Sequence, residues 1–229
     1  MLAKNAPALS PTPSSNLAVS SSSTRFRPIS AMAGASDGIL YRVAAVCGVG
    51  SAIILLINAA KRSGLIATSN LTQILAPLAE ILALGLIVGL FLSVGRRTGL
   101  FGLIAFVLNF AALASLEGVE VVINLVFSKL PMATIVELQA GPLGLVLVAS
   151  SLLFLFGTCA FVISLVIAKD VPRIPLALYF LSAMPIALRA FVPELALDLG
   201  LAGLAAALIC LSTWLWTRAS TFAQPAYEV

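Results

Sequence analysis

Long apolar stretches, separated by short polar segments, run along most of the chain. Each apolar stretch is continuous for about 20 residues, the length that an α-helix needs to cross a bilayer, and none alternates with the period of two typical of barrel strands. Six spans are predicted, at about residues 39–60, 71–94, 99–127, 143–168, 174–192 and 195–217. The fifth is the least regular, because Pro185 and Arg189 lie within it, so a re-entrant pair of the last two stretches is the alternative. The sequence therefore predicts an all-α, polytopic transmembrane bundle of six spans.

The composition supports lipid as the solvent of this bundle. Hydrophobic residues make up 61% of the chain and charged residues only 10%, whereas a soluble domain carries about 25% charged residues. The chain has no histidine, which excludes bis-histidine haem, most zinc sites and nucleophiles activated by histidine. No cofactor and no metal site are predicted, and the three cysteines lie inside apolar stretches, where packing is their simplest role.

The positions of the basic residues predict an orientation. They lie singly or in pairs at the ends of apolar stretches, which is typical of topology control rather than of nucleic-acid binding. With six spans both chain ends lie on one side, and placing them inside puts nine basic residues inside and four outside. The inner set is Lys4, Arg25, Arg27, Arg42, Arg96, Arg97, Lys169, Arg173 and Arg218, and the outer set is Lys61, Arg62, Lys129 and Arg189. This excess predicts an N-in, C-in protein.

The ends of the chain differ from the apolar region in composition. Residues 1–36 contain nine serines, four prolines and no acidic residue, a composition that favours disorder. The sequence is divided into a leader at 1–38, a six-helix domain at 39–218 and a short tail at 219–229. The leader is interpreted either as an uncleaved cytoplasmic tail or as an organellar transit peptide. If it is cleaved, the basic residues inside and outside number six and four, and the orientation is less strongly favoured.

Several short motifs carry a resemblance to a known group of proteins. They are Gly95-Arg-Arg-Thr-Gly-Leu-Phe-Gly102, Gly141-Pro142, Phe156-Gly157 and Val171-Pro-Arg173. Together they resemble uncharacterised six-span integral membrane proteins of bacteria, common in actinobacteria. The resemblance implies a six-span fold and the bacterial plasma membrane, and it implies no activity. The serine-rich leader departs from that group, which leaves a plastid membrane as the alternative.

Ionisable residues inside the spans are the candidates for function, because burying charge in a bilayer is costly. At about 1.5 Å per residue, Glu80, Glu117 and Arg189 all lie roughly 24–30 Å from the inner boundary, in the outer part of the bilayer. On the helix of the third span, Asn109, Glu120, Asn124 and Glu117 fall at about 0°, 20°, 60° and 80°. This predicts one polar face directed into the bundle, and Glu80, Asn109, Glu117, Glu120 and Arg189 form the predicted outward-facing ligand pocket.

A simpler interpretation has Glu117 and Glu120 in water just above the hydrocarbon, with Arg189 reaching up to the interface. Gly85 and Gly89 form a small-xxx-small pair, interpreted first as packing within the bundle and second as a dimer contact. Beyond the lipid bilayer, the predicted partners are another membrane protein or a second copy of the chain.

Three functions follow from these patterns. The first is a non-enzymatic accessory or protective membrane component, which predicts an exposed flat helix face containing Gly85 and Gly89. The alternative is a small transporter or ligand-binding bundle, which predicts a water-accessible path from outside to Glu80. The third is a membrane-embedded acid/base enzyme acting on a lipid-like substrate, which predicts a closed pocket around paired carboxylates.

Overall fold

The protein folds into a helical bundle with five long apolar helices. The computed structural model describes the backbone of residues 29–222 and the side chains of residues 38–95 and 97–220. The α-helices are α1 (Ile29–Arg62), α2 (Asn70–Val94), α3 (Gly99–Val121), α4 (Met132–Ala140), α5 (Pro142–Ala168), α6 (Arg173–Ala187) and α7 (Glu194–Phe222). A 3-10 turn at Gly95–Thr98 joins α2 to α3, and a π-helical turn at Val122–Val126 followed by a 3-10 turn at Phe127–Lys129 ends α3. The described residues are thus almost entirely helical.

Five of the predicted spans are confirmed as helices long and apolar enough to cross a membrane. The fifth predicted span is shorter than expected, because α6 ends at Ala187 rather than near residue 192. Pro185 lies in its last turn, and the chain leaves helical geometry at Leu188. The short helix α4 was not predicted. Together the apolar helices make this an integral membrane protein.

The ends of the bundle differ from the predicted division of the chain. α1 begins at Ile29, so residues 29–38, assigned to the leader, form its first turns, and α7 continues through residues 219–222, assigned to the tail. Residues 1–28 and 223–229 lie outside the described part, and the division into leader, domain and tail stays a prediction. At the start of α2, Ser69 and Thr72 form a capping box that satisfies free backbone N–H groups.

Small residues allow the helices to approach closely. α1 packs between α2 and α7, while α3 packs along α5. A Cβ atom added to Gly89 of α2 would overlap Ala44 of α1, and one added to Gly85 would lie 3.0 Å from the Cys47 side chain. Gly157 of α5 gives the same close contact with α3, 3.0 Å from the Leu108 carbonyl oxygen. The glycine pair of α2 therefore faces α1 inside the bundle.

Charged side chains mark the two ends of the bundle. At one end Arg97 donates to Asp170 at 2.6 Å, and Arg218 lies 3.6 Å from the same carboxylate. At the other end Arg62 pairs with Glu194 and, at 3.4 Å, with Asp198. We call these the Asp170 end and the Arg62 end. Between them, large apolar side chains cover the outside of the helices, as a lipid environment requires.

Candidate functional site

A polar cavity of about 110 Å³ lies at the Arg62 end between α1, α3, α6 and α7. Its charged lining comes from Lys61 and Arg62 of α1, Glu120 of α3 and Arg189, which follows α6. Its other lining residues are Asn58, Ile123, Asn124, Ile186, Leu197 and Leu201. We call it the outer cavity. Its volume is several times the roughly 10–15 Å³ that one water molecule requires, so the cavity has room for several water molecules.

A chain of polar contacts crosses the outer cavity. Arg189 donates to Glu120 at 2.9 Å, and the Asn124 amide donates to the same carboxylate at 2.8 Å. Lys61 of α1 donates to the side-chain amide oxygen (Oδ1) of Asn124 at 2.7 Å. Asn124 lies in the π-helical turn, a local distortion often found at functional sites. The contacts thus connect α1, α3 and the end of α6.

A second cavity lies deeper in the bundle, next to Glu80 of α2. It measures about 30 Å³, and its lining includes Ser51, Glu80 and Tyr179. This inner cavity shares four lining residues with the outer one, namely Asn58, Glu120, Ile186 and Leu201. Glu80 is buried, and its Oε2 atom has no hydrogen-bond partner in the described part of the chain. The two cavities are therefore adjacent, and the inner one lies against a carboxyl group that has no counter-ion in contact among the described residues.

A buried polar layer lies beneath the inner cavity. Thr158 of α5 donates to the side-chain amide oxygen (Oδ1) of Asn109 in α3 at 3.2 Å, and both side chains are completely buried. Tyr179 of α6 lines the inner cavity and is itself buried. The Asn109 Nδ2 atom, however, has no partner among the described residues. The bond between Asn109 and Thr158 thus links α3 to α5 beneath the inner cavity.

Aromatic packing closes the bundle on the other side of this layer. Phe91 of α2 stacks on Phe106 of α3 with ring centroids 4.3 Å apart, and Phe106 contacts Phe161 of α5 at 6.4 Å. Each of the three lies nearer the Asp170 end than the polar residue of its own helix. Among the described residues, this aromatic layer thus lies between the two cavities and the Asp170 end.

The structure brings most of the predicted pocket together. The expected ion pair of Arg189 with a glutamate is present, with Glu120, and Glu80 lines the inner cavity. Asn109 lies one layer deeper than predicted. Glu117 is half-buried, lines neither cavity and forms none of the hydrogen bonds or ion pairs found in the described part. Whether these residues bind a ligand stays a prediction.

Sequence reasoning missed the contribution of α1. Ser51 and Asn58 are seven residues apart on one face of an otherwise apolar helix, and that spacing was available as a signal. Lys61 was read only as a topology signal, and Tyr179 was not considered. The prediction of an exposed helix face with Gly85 and Gly89, made for an accessory protein, was wrong, because α1 covers both glycines.

No group of three or more acidic, cysteine or histidine side chains within the described ranges is placed to hold a metal ion. Comparisons with models of protein families, with curated proteins and with solved structures find no match to this chain. The resemblance to bacterial six-span proteins therefore stays a prediction.

Proposed function

We propose that the chain is a six-span integral membrane protein of the small-transporter or ligand-binding class, whose site is the polar path from the Arg62 end to Glu80. The observation that carries this proposal is the sharing of four lining residues between the outer cavity and the inner one. A water-accessible path to Glu80 is what transport or ligand binding predicts. An enzyme would need paired carboxylates in a closed pocket, and Glu117 does not face the pocket of Glu120.

The positions of the chain ends support an even number of spans. Gly38 of α1 lies against the Ala219 carbonyl of α7, so these two helices start and finish together. Asp170, just after α5, pairs at one end of the bundle, while Glu194 at the start of α7 pairs at the other. The segment between them must therefore run the length of the bundle. α6 supplies about 22 Å of that length at 1.5 Å per residue, and the residues after it supply the rest.

The distribution of basic residues favours the Arg62 end as the outer side, which gives an N-in, C-in protein. We place it in the bacterial plasma membrane, with a plastid membrane as the alternative if the leader is a transit peptide. The cavity sizes favour a small ligand. The inner cavity, at about 30 Å³, accommodates little more than one water molecule, which argues against a lipid-like substrate.

Cysteine accessibility tests both the path and the topology. In a background with Cys47, Cys159 and Cys210 changed to alanine, single cysteines replace Asn58 and Glu80 along the path. Their matched controls replace Leu56 and Ile81, neighbouring side chains that are 44% and 48% exposed on the outside of the bundle. Ser63 and Arg173, both exposed at opposite ends, report the two sides of the membrane. The probe is a small, charged methanethiosulfonate reagent added to intact cells or oriented vesicles.

We expect position 58 to react from the same side as position 63. Position 80 should react far more slowly, because the inner cavity has room for little more than one water molecule and must widen before the reagent can enter. Positions 56 and 81 should not react, because a lipid-facing thiol meets neither water nor the charged reagent. Position 173 should react only from the opposite side. Equal inertness of 58, 80 and their controls would refute the path. Labelling of 63 and 173 from one side would refute the six-span topology.

A further inference from the structure

Two residues that line the inner cavity each have a buried oxygen atom without a hydrogen-bond partner among the described residues. Ser51 of α1 is only 1% exposed, and neither its Oγ atom nor Oε2 of Glu80 has a hydrogen-bond partner among the described residues. Both residues line the same cavity of about 30 Å³. Buried polar atoms in folded proteins are almost always hydrogen-bonded, to protein or to ordered water. A cavity of this size has room for a water molecule that bridges the two side chains.

We propose that the ligand of this site is a proton, held on Glu80 as a carboxylic acid with Ser51 and one buried water as its hydrogen-bond partners. The inference rests on the proposed function, since it names the ligand that the polar path delivers. The exchange balances simply. A hydronium ion in the cavity gives its proton to the Glu80 carboxylate, leaving a neutral acid and a water molecule, and release is the reverse step.

The surroundings of Glu80 favour a proton over other ligands. A carboxylate without a counter-ion is costly at this depth, and a bound proton removes its charge. A metal cation needs several oxygen ligands at once, as Ca²⁺ and Mg²⁺ sites show, whereas a proton needs one acceptor. Ser51 and Glu80 supply two free oxygen atoms to the inner cavity. An anion is disfavoured by the carboxylates of Glu80 and Glu120.

Each of the other charged side chains that line the two cavities has a charged or polar partner. From α3, Glu120 pairs with Arg189, and Glu117 lines neither cavity. From α6, Tyr179 lines the inner cavity. From α1 and its neighbour α7, Lys61 bonds to Asn124, and Arg62 pairs with Glu194 and Asp198. Glu80 is therefore the acidic group of the path that lacks a charged partner in contact.

Infrared spectroscopy of the full-length protein in lipid nanodiscs tests the proposal directly. A protonated carboxyl group gives a carbonyl band separate from that of a carboxylate, and the band shifts in D₂O when the proton exchanges. We expect wild-type protein to show this band and Glu80→Gln to lose it. Glu117→Gln is the matched control and should retain it, because Glu117 lines neither cavity. Ser51→Ala should retain the band at a shifted frequency, because the acid loses a hydrogen-bond partner.

The outcomes separate failure of the proton from failure of the path. Loss of the wild-type band when choline is replaced by sodium would overturn the proton in favour of a metal cation, while the path would stand. Absence of a band sensitive to Glu80→Gln, with position 58 accessible in the cysteine experiment, would overturn the proton alone. A Glu80 band that does not shift in D₂O would show a sealed site and overturn both. If Glu80→Gln does not fold, an unshifted band in Ser51→Ala would still refute the proposal.

Discussion

Changing Arg189 tests whether the outer cavity is held together by a partly buried ion pair or by weak surface contacts. The perturbation is Arg189→Gln, alone and combined with Glu120→Gln. Arg189 donates to Glu120 at 2.9 Å, and the two side chains are 22% and 12% exposed. The pair is therefore mostly, but not fully, removed from solvent.

The geometry gives a magnitude between two limits. Removing one partner of a fully buried pair costs about 3–5 kcal/mol, and an exposed pair contributes about 0–1 kcal/mol. Glu120 keeps the Asn124 amide at 2.8 Å after Arg189 is lost, so part of its charge stays solvated by the protein. We expect Arg189→Gln to lower the free energy of unfolding by about 2 kcal/mol, and the double change by only about 1 kcal/mol, because the second substitution removes the stranded carboxylate.

The assay is unfolding in mixed micelles with increasing sodium dodecyl sulfate, followed by circular dichroism. Lys129→Gln is the matched control, because Lys129 is exposed and contacts Asn70 only at 3.5 Å; it should change stability by less than about 0.5 kcal/mol. If Arg189→Gln has an equally small effect, and the effects of the two single changes simply add, then water already solvates both groups. That result would refute the reasoning that this ion pair is mostly removed from solvent.

Two further predictions use the same unfolding assay. Gly89→Ala should destabilise the protein by about 1–3 kcal/mol, because the new methyl group overlaps Ala44; Gly118→Ala, with no atom within 4 Å of its added Cβ, should be neutral or stabilise by up to about 1 kcal/mol. Equal effects would show that α1 and α2 separate easily. Asn109→Leu should cost about 1–3 kcal/mol, because it leaves the Thr158 hydroxyl, which donates to Asn109 at 3.2 Å, without that acceptor. Adding Thr158→Val should recover part of that cost, and a strictly additive loss would contradict a bonded pair.

The long helices could be predicted well because their signal is local. α2 and α5 begin one residue before the predicted positions and end where predicted, because each is a continuous apolar stretch of span length that charged residues follow, Arg96-Arg97 after α2 and Lys169-Asp170 after α5. α4 could not be predicted in this way, because a nine-residue helix of mixed composition gives no span-length signal. The early end of α6 depends on the chain beyond Pro185 turning toward α7, which is a tertiary contact.

The site was predictable in depth but not in rotation. Helix arithmetic placed Glu80, Glu117 and Arg189 toward one end of the bundle, and the structure has Glu80 and Arg189 at the two cavities there. It could not decide between Glu117 and Glu120, which lie about 60° apart on the helix. That choice depends on how α3 is rotated against α5, where Gly157 lies against the α3 backbone. The part played by Ser51 likewise required the contact between α1 and α2.

One-sided access separates a binding site from a transport path. The site lies where α1, α2 and α7 meet α3, α5 and α6. Between these two groups of helices α6 packs on α7 and α2 packs on α3, and polar contacts join the groups at both ends. Lys61 of α1 bonds to Asn124 at the Arg62 end, and Arg218 of α7 pairs with Asp170, after α5, at the other. Binding of a proton needs none of these contacts to change, because Glu80 lines the inner cavity, which adjoins the outer one. Transport would require the contacts at the Asp170 end to break and the phenylalanine layer to open while those at the Arg62 end stay closed. The relative movement of these two groups is therefore the feature that distinguishes a transporter from a protein that only binds its ligand.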